Sequence, residues 1–370
     1  MKIALIHDIL VQEGGQERVL HALQELFPEA PTFVLIFDRD KKEKYYKNRD
    51  IRATFLQKMP GIEKKYQWYL PLMATAIESH NLKGFDLVLS SSSSFAKGVI
   101  CKPETLHICY CHTPTRYLWS DPQGYIEDLP YPNFIKKFLP FYLSNLRNWD
   151  WAAAQRIDYF LANSNAVKEK IKKYYNQDAR VIYPPVDVNK FYISKKVEDY
   201  YLIGGRLVPY KRYDLAIQAF NKLNIPLKIF GIGPEYERLK KMAKKNIEFL
   251  GEVTEEEKAK LFSKCVAFIN PQEEDFGITA VEAMASGRPV IAYKKGGALE
   301  IVIAGKSGEF FEDQVWEDLA NTIIHFQPEK YNPYEIKNYA EKFSKQRFLK
   351  EIKSFVNEAR TGRNQEKPIV

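Results

Sequence analysis

Cysteine is scarce in this chain: four residues in 370, at positions 101, 109, 111 and 265, with no regular spacing. That excludes a disulfide-built domain and predicts reduced thiols, hence a cytoplasmic protein. His107, Cys109, Cys111 and His112 sit close enough in sequence to suggest metal ligands. In an alternating strand, however, His112 falls on the opposite face from the other three, and no second ligand pair follows, so no metal site is expected. Long apolar runs are missing too. No stretch reaches the roughly 18 residues of a membrane-spanning helix, and Met1-Lys2 leads straight into the apolar run IALIHD, so no signal peptide is read. Neither charge sign dominates any segment. The net charge is +8, made of 25 Lys and Arg against 21 Asp and Glu in residues 1–187 and 30 against 26 in the remainder. With the basic charge spread evenly and no recognisable nucleic-acid module, no nucleic-acid partner is expected. No internal repeat is evident, which excludes a solenoid or a propeller.

What is present is an ordinary globular composition, 45% hydrophobic, enough for a sizeable core in each of two domains. Short apolar runs alternate with helical patterns, the signature of parallel α/β sheets. The first half offers strands at 2–8, 31–37, 86–92, 106–112 and 159–164. The second offers strands at 200–205, 227–231, 247–251, 266–271, 289–293 and 308–311. Helices are expected between them, one over 210–223 and one opened at Thr254 by a capping box with Glu257. Paired prolines in VIYPPVDVNKFY, residues 181–192, break both regular structures and mark the boundary. The domains are therefore read as 1–183 and 184–344, with a C-terminal helix at about 345–362 returning to the first and a frayed polar tail after 360.

The chemistry concentrates in four places. The segment EEDFGITAVEAMASGRP, 273–289, sets Glu274 before a helix and Glu282 inside it, eight positions on. Between them Phe276, Gly277 and Ile278 present the free N–H groups of a helix start, a natural seat for phosphate. Two carboxylates around an anion seat suit a nucleotide-sugar: phosphates on the N–H groups, hydroxyls on the Glu side chains. Glu282 lies among Ala280, Val281, Ala283 and Met284, where a charge needs a partner. The segment GGRLVPYKR, 204–212, follows a strand and places Arg206 and Lys211 where both cations can reach one diphosphate. Gly14-Gly15 lies between the first strand and the first helix, where the backbone can approach a phosphate or a sugar closely or simply turn. Glu17 is read as stabilising that helix start. His112, in CHTPTRYLWSDP (111–122), ends a strand on the side where open α/β sheets bind ligands, and Arg116, Tyr117 and Trp119 follow it on the same side. Lesser signals are Gly231-Ile-Gly233, Glu252-Val253-Thr254, Gly296-Gly297 and Asn163-Ser164, each equally readable as an ordinary turn or cap. Asp38-x-Asp40 runs into Lys41-Lys42 and reads as a solvated loop rather than a metal site. Two segments, 55–73 and 132–151, mix aromatics with Lys and can serve either a lipid interface or the core.

The E-x7-E spacing followed by A-M-A-S-G-R-P-V-I resembles the retaining GT-B glycosyltransferases of family 4, and the resemblance extends over nearly the whole chain. The run C-H-T-P-x-R-Y-L-W together with EEDFGI is similar to a subgroup of bacterial mannosyltransferases acting on O-antigen or related surface polysaccharides. The resemblance implies a GT-B fold, two Rossmann-like domains facing across a cleft, with donor on the second and acceptor on the first. It implies that Arg206 and Lys211 bind the nucleotide diphosphate, that Glu274 and His112 meet the transferred sugar, and that Glu282 holds the ribose. It further implies that Gly14 and Gly15 face the donor, and that Gly231 and Val253 border the nucleotide. The implied reaction needs no metal and no cofactor besides the donor. The donor expected from the subgroup is GDP-mannose and the acceptor a glycan, polyprenyl-diphosphate-linked, reached from the inner membrane face. A UDP-sugar donor, an epimerase of the same plan and a non-catalytic nucleotide-sugar-binding protein are the competing readings.

Overall fold

The computed structural model describes residues 1–129 and 131–366, and they fall into two compact units: 1–183 with the stretch from 349 onward, and 184–348. Each is built on one all-parallel sheet. The first sheet holds β1 (Ile3–His7), β2 (Thr32–Val34), β3 (Ile51–Ala53), β4 (Leu87–Ser92), β5 (Leu106–Cys111), β6 (Tyr159–Ala162) and β7 (Ala179–Val181), in the order β3-β2-β1-β4-β5-β6-β7. The second holds β8 (Tyr201–Gly204), β9 (Leu227–Phe230), β10 (Ile247–Gly251), β11 (Phe268–Asn270), β12 (Val290–Tyr293) and β13 (Gly308–Phe311), in the order β10-β9-β8-β11-β12-β13. Both orders are doubly wound, as the sequence led one to expect. The central strands β4 and β5 are buried at every position, the condition of a parallel sheet covered by helices on both faces.

Two strands escape the sequence reading, β3 and β7. Each has three residues with an arginine in the middle, and each lies at an edge of the first sheet. Arg52 pairs with Asp50 at 2.6 Å and Arg180 with Glu358 at 2.7 Å. Short, charged edge strands discourage pairing with another chain, and that same charge hides them from a hydrophobicity pattern. Asp38, read as part of a solvated loop, instead caps a helix, Arg39–Tyr45, by accepting the Lys41 N–H at 3.0 Å.

The C-terminal helix runs Lys345–Glu366. Within the first unit, Phe355 meets Tyr159 edge-on at 5.8 Å. The fraying expected after 360 is not seen as far as Glu366; the last four positions lie outside the described residues. A buried ion pair anchors the first unit: Lys97 and Asp150 approach to 2.6 Å with side chains only 2% and 1% exposed. Asp150 also accepts from Thr115 Oγ1 at 2.7 Å, Trp119 Nε1 at 2.8 Å and the Tyr175 hydroxyl at 2.7 Å. Trp119, half-buried, also stacks on Tyr174, which ties it to this network.

Candidate active site

In a doubly wound sheet the crevice opens beyond the strand C-termini, where the strand order reverses. In the second sheet that point lies between β8 and β11. The chain leaving β8 and the chain leaving β11 meet there: Lys211 Nζ stands 3.0 Å from Glu274 Oε1, with side chains 12% and 17% exposed. Burial pulls the Lys211 pKa down, but the Glu274 carboxylate and the Tyr213 and Tyr210 hydroxyls overcome it and hold the ammonium above its usual range. The helix after this loop begins at Tyr213, not at 210 as the periodicity suggests. Pro209–Lys211 winds a tight 3-10 turn and Arg212 takes a left-handed φ of +51° before the helix starts. Arg206 is exposed on the same loop.

The Glu274 loop is fixed by its main chain. The Gly297 N–H donates to the Glu274 carbonyl at 2.8 Å. At Gly296, with φ +61°, a Cβ would lie 2.4 Å from that same carbonyl oxygen, so only glycine fits. Gly231 plays the matching role beside the first loop: its φ is +110° and a Cβ would stand 1.9 Å from the Gly205 carbonyl oxygen. Phe276 is 4% exposed and packs on Phe343 with ring centroids 5.6 Å apart, so its side chain anchors the loop. Gly277, φ +110°, is the N-cap of the helix Ile278–Ala285. Ile278 is its first residue, as expected of a helix start.

Glu282 lies on that helix, 2% exposed. The partner its apolar setting demands is Lys258, whose Nζ stands 3.1 Å from Glu282 Oε1 and 2.7 Å from Glu255 Oε1. Lys258 sits in the helix opened by the Thr254–Glu257 capping box. Sequence spacing gives no hint that these two residues meet. Val253, just before that helix, lines a cavity of about 420 Å³ with Tyr200, Lys228, Leu250 and Leu261.

The first unit has its own reversal point, between β1 and β4. There Asp8 Oδ1 accepts the Phe95 and Ala96 N–H groups at 2.7 and 2.6 Å, and Oδ2 accepts those of Ser93 and Ser94 at 2.7 and 3.0 Å. This clamp ties the loop after β1 to the loop after β4. Beside it opens a cavity of about 220 Å³ lined by Asp8, Gln16, Glu17, Tyr66, Phe95 and Tyr117, among others. Gly14 caps the helix Gly15–Leu26 and both glycines are exposed. His112 is 7% exposed, with Nε2 2.8 Å from Ser91 Oγ and its carbonyl accepting from Asn163 Nδ2 at 2.9 Å. Burial, reinforced by His7, lowers its pKa to about 3, so the ring is neutral. His107 is likewise held at about 3 by burial and by Arg156. Among the described residues no cluster of three or more His, Cys, Asp or Glu side chains converges as a metal site.

Thus Lys211, Glu274 and Gly277 come together in the second unit, and His112 joins Ser91 and His7 in the first. Sequence reasoning missed Asp8, Ser91 and Lys258. The Ser90–Ser94 run was the available signal for the first two, since hydroxyls at the end of a buried strand need partners.

Two parallel doubly wound sheets in one chain, each with charged or polar groups gathered at its reversal point, are the architecture of the GT-B fold. Residues 13–190 match the family described as Glycosyltransferase Family 4 and residues 189–343 match Glycosyl transferases group 1. Together the two matches run over residues 13–343, so the chain is similar along nearly its whole length to glycosyltransferases of these two families. An uncharacterized glycosyltransferase of Methanocaldococcus jannaschii is 32% identical over 177 residues, 46% of this chain and 50% of that one. The O-antigen chain mannosyltransferase RfbU of Salmonella typhimurium is 33% identical over 152 residues, 38% of this chain and 43% of that one. The chain thus spans about half the length of these curated relatives. Among solved structures, Anabaena HepE in complex with UDP superposes with a TM-score of 0.72 over 97% of this chain and 100% of that one, at 18% identity.

Proposed function

We propose that this protein transfers a hexose from a nucleotide-sugar to a glycan acceptor with retention of anomeric configuration. The observation that carries the reading is the Lys211–Glu274 pair at the reversal point of the second sheet, next to the helix start at Gly277. Lys211 and Arg206, with the N–H groups of Gly277 and Ile278, stabilise the departing nucleoside diphosphate as the glycosidic bond breaks. Glu274 holds sugar hydroxyls and favours developing positive charge at the anomeric carbon. Glu282, its charge balanced by Lys258, addresses the ribose. His112 addresses a sugar hydroxyl, and the cavity beside Asp8 receives the acceptor. No metal enters this scheme, because the two cations supply the charge that a metal would supply.

The donor in this reading is GDP-mannose, on the resemblance to surface-polysaccharide mannosyltransferases and on the mannosyltransferase RfbU among the relatives. A thermal-shift series with GDP-, UDP- and ADP-sugars, each with and without EDTA, tests it. Stabilisation by GDP-mannose that EDTA does not alter is the expected result. A larger shift with a UDP-sugar replaces the donor; no shift with any nucleotide-sugar sinks the reading. Release of GDP in the presence of an acceptor then separates an enzyme from a non-catalytic binding protein.

The acceptor is proposed to be a polyprenyl-diphosphate-linked glycan, met at the inner face of the cell membrane by a peripheral contact. Phe134, Phe138 and Phe141 are 67%, 71% and 72% exposed, an unusual density of bare aromatics on a helix-rich segment. The fold brings this segment to the other aromatic stretch: Tyr131 stacks edge-on with Trp68 at 4.7 Å, and the Tyr142 hydroxyl donates to the Leu70 carbonyl at 3.0 Å. Lys64, Lys65 and Lys137 are exposed on the same two segments, the pairing of aromatic and basic groups that suits an anionic lipid surface. Among the described residues no helix is long and apolar enough to cross a membrane. Flotation with anionic vesicles is expected and should weaken in salt and in the F134S/F138S/F141S variant; failure of the wild-type chain to float removes the membrane from the scheme.

A further inference from the structure

His112 is the end of a buried chain of polar groups that begins at Glu17. Glu17 is 4% exposed and lines the cavity beside Asp8. Its Oε1 stands 3.6 Å from His7 Nε2, beyond hydrogen-bond length, and His7 Nε2 has no closer partner. On the other side of that ring, His7 Nδ1 lies 3.2 Å from Ser91 Oγ. Ser91 Oγ in turn lies 2.8 Å from His112 Nε2. A serine hydroxyl has one proton to give, so it cannot donate to both rings. At least one ring must therefore carry its proton toward Ser91.

The carboxylate decides which. An N–H facing Glu17 is electrostatically favoured over a lone pair facing it, so in the singly protonated His7 ring the proton sits on Nε2 and leaves Nδ1 as an acceptor. Ser91 then donates to His7, and its oxygen accepts from an N–H on His112 Nε2. The tautomer of a histidine is set by the bond its other nitrogen makes. We infer that Glu17, His7 and Ser91 are positioning residues that hold His112 as the Nε2–H tautomer, with Nδ1 presented as a hydrogen-bond acceptor for a donor hydroxyl. The geometry gives Glu17 a task the sequence did not assign it. It is more than an acidic residue in the first turn of a helix: it sets the polarity of a relay that crosses β1 and β4. The inference about what Nδ1 meets rests on the transferase reading above; the inference about the tautomer does not.

The two are separated by one experiment on the full chain. Two-bond ¹H–¹⁵N correlation spectra of ¹⁵N-histidine-labelled protein report which nitrogen of each ring is protonated. In the wild-type chain His112 is expected to show a protonated Nε2 and an unprotonated Nδ1 across neutral pH. In S91A the pattern should change toward a mixture, and in E17Q it should weaken, while S91T should restore it. A wild-type His112 protonated on Nδ1, or a pattern unmoved in both S91A and E17Q, overturns the inference. In turnover assays S91A should lower kcat by up to about tenfold, the worth of one hydrogen bond, with donor KM little changed. A tautomer as described but with kcat unaltered in S91A and in H112A leaves the relay standing and removes His112 from the transfer step.

Discussion

Replacing Lys211 or Glu274 with alanine is expected to lower sugar-transfer turnover by roughly 10²–10³ each, the scale of losing one preorganised electrostatic contact in a dry site. The reasons differ. On the proposed reading, the leaving diphosphate loses without Lys211 a cation whose charge the Glu274 carboxylate holds against the opposing effect of burial. On the same reading, loss of Glu274 removes the sugar's hydroxyl anchor and also the tether of Lys211. The two side chains touch, so their effects should not add, and the double variant should fall short of the product of the two losses. Steady-state kinetics with the donor identified by thermal shift checks this. Near-normal rates in both single variants would remove the site from where it is placed here.

Removing Asp150 should have the largest effect on stability. Asp150→Ala leaves Lys97, 1% exposed, without its counter-charge and strips Thr115, Trp119 and Tyr175 of their shared acceptor. Breaking a buried pair from one side costs about 3–5 kcal/mol. The loss should appear as a lower midpoint in urea unfolding followed by near-ultraviolet signals from Trp119. Lys97→Met/Asp150→Asn should recover part of it, because no bare charge then remains and the amide can still accept. A midpoint unchanged in Asp150→Ala would mean that the pair does little for the folded state.

The sequence carried most of the second unit. All six of its strands are visible as short apolar runs, and Lys211, Glu274 and Gly277 are legible because each sits in a loop immediately after a strand or at a helix start. Glu282 was legible as a charge in need of a partner, but Lys258 was not, because the pairing crosses from one helix to another over a distance of 24 residues. The same limit hid Asp8, whose donors are backbone N–H groups more than 80 positions away. Backbone donors carry no sequence signature at all. Edge strands β3 and β7 were lost for the opposite reason: their central arginines break the apolar run. The start of the helix at Tyr213 was misplaced because Pro209 and Arg212 redirect the chain through a tight turn that periodicity alone reads as helix.

The close approach of Gly231 to the Gly205 carbonyl and of Gly296 to the Glu274 carbonyl bears on how such a site can be redesigned. At both places main chain rests on main chain, and in the second loop Phe276, packed on Phe343, adds a side-chain anchor. An engineer seeking a different nucleotide or sugar can therefore vary exposed positions beside the glycines, such as Ile232, with little risk to loop geometry. Any substitution at the two glycines would push the loops apart and blunt every donor alike. Libraries that spare those glycines and randomise their exposed neighbours should yield altered preference far more often than inactive protein.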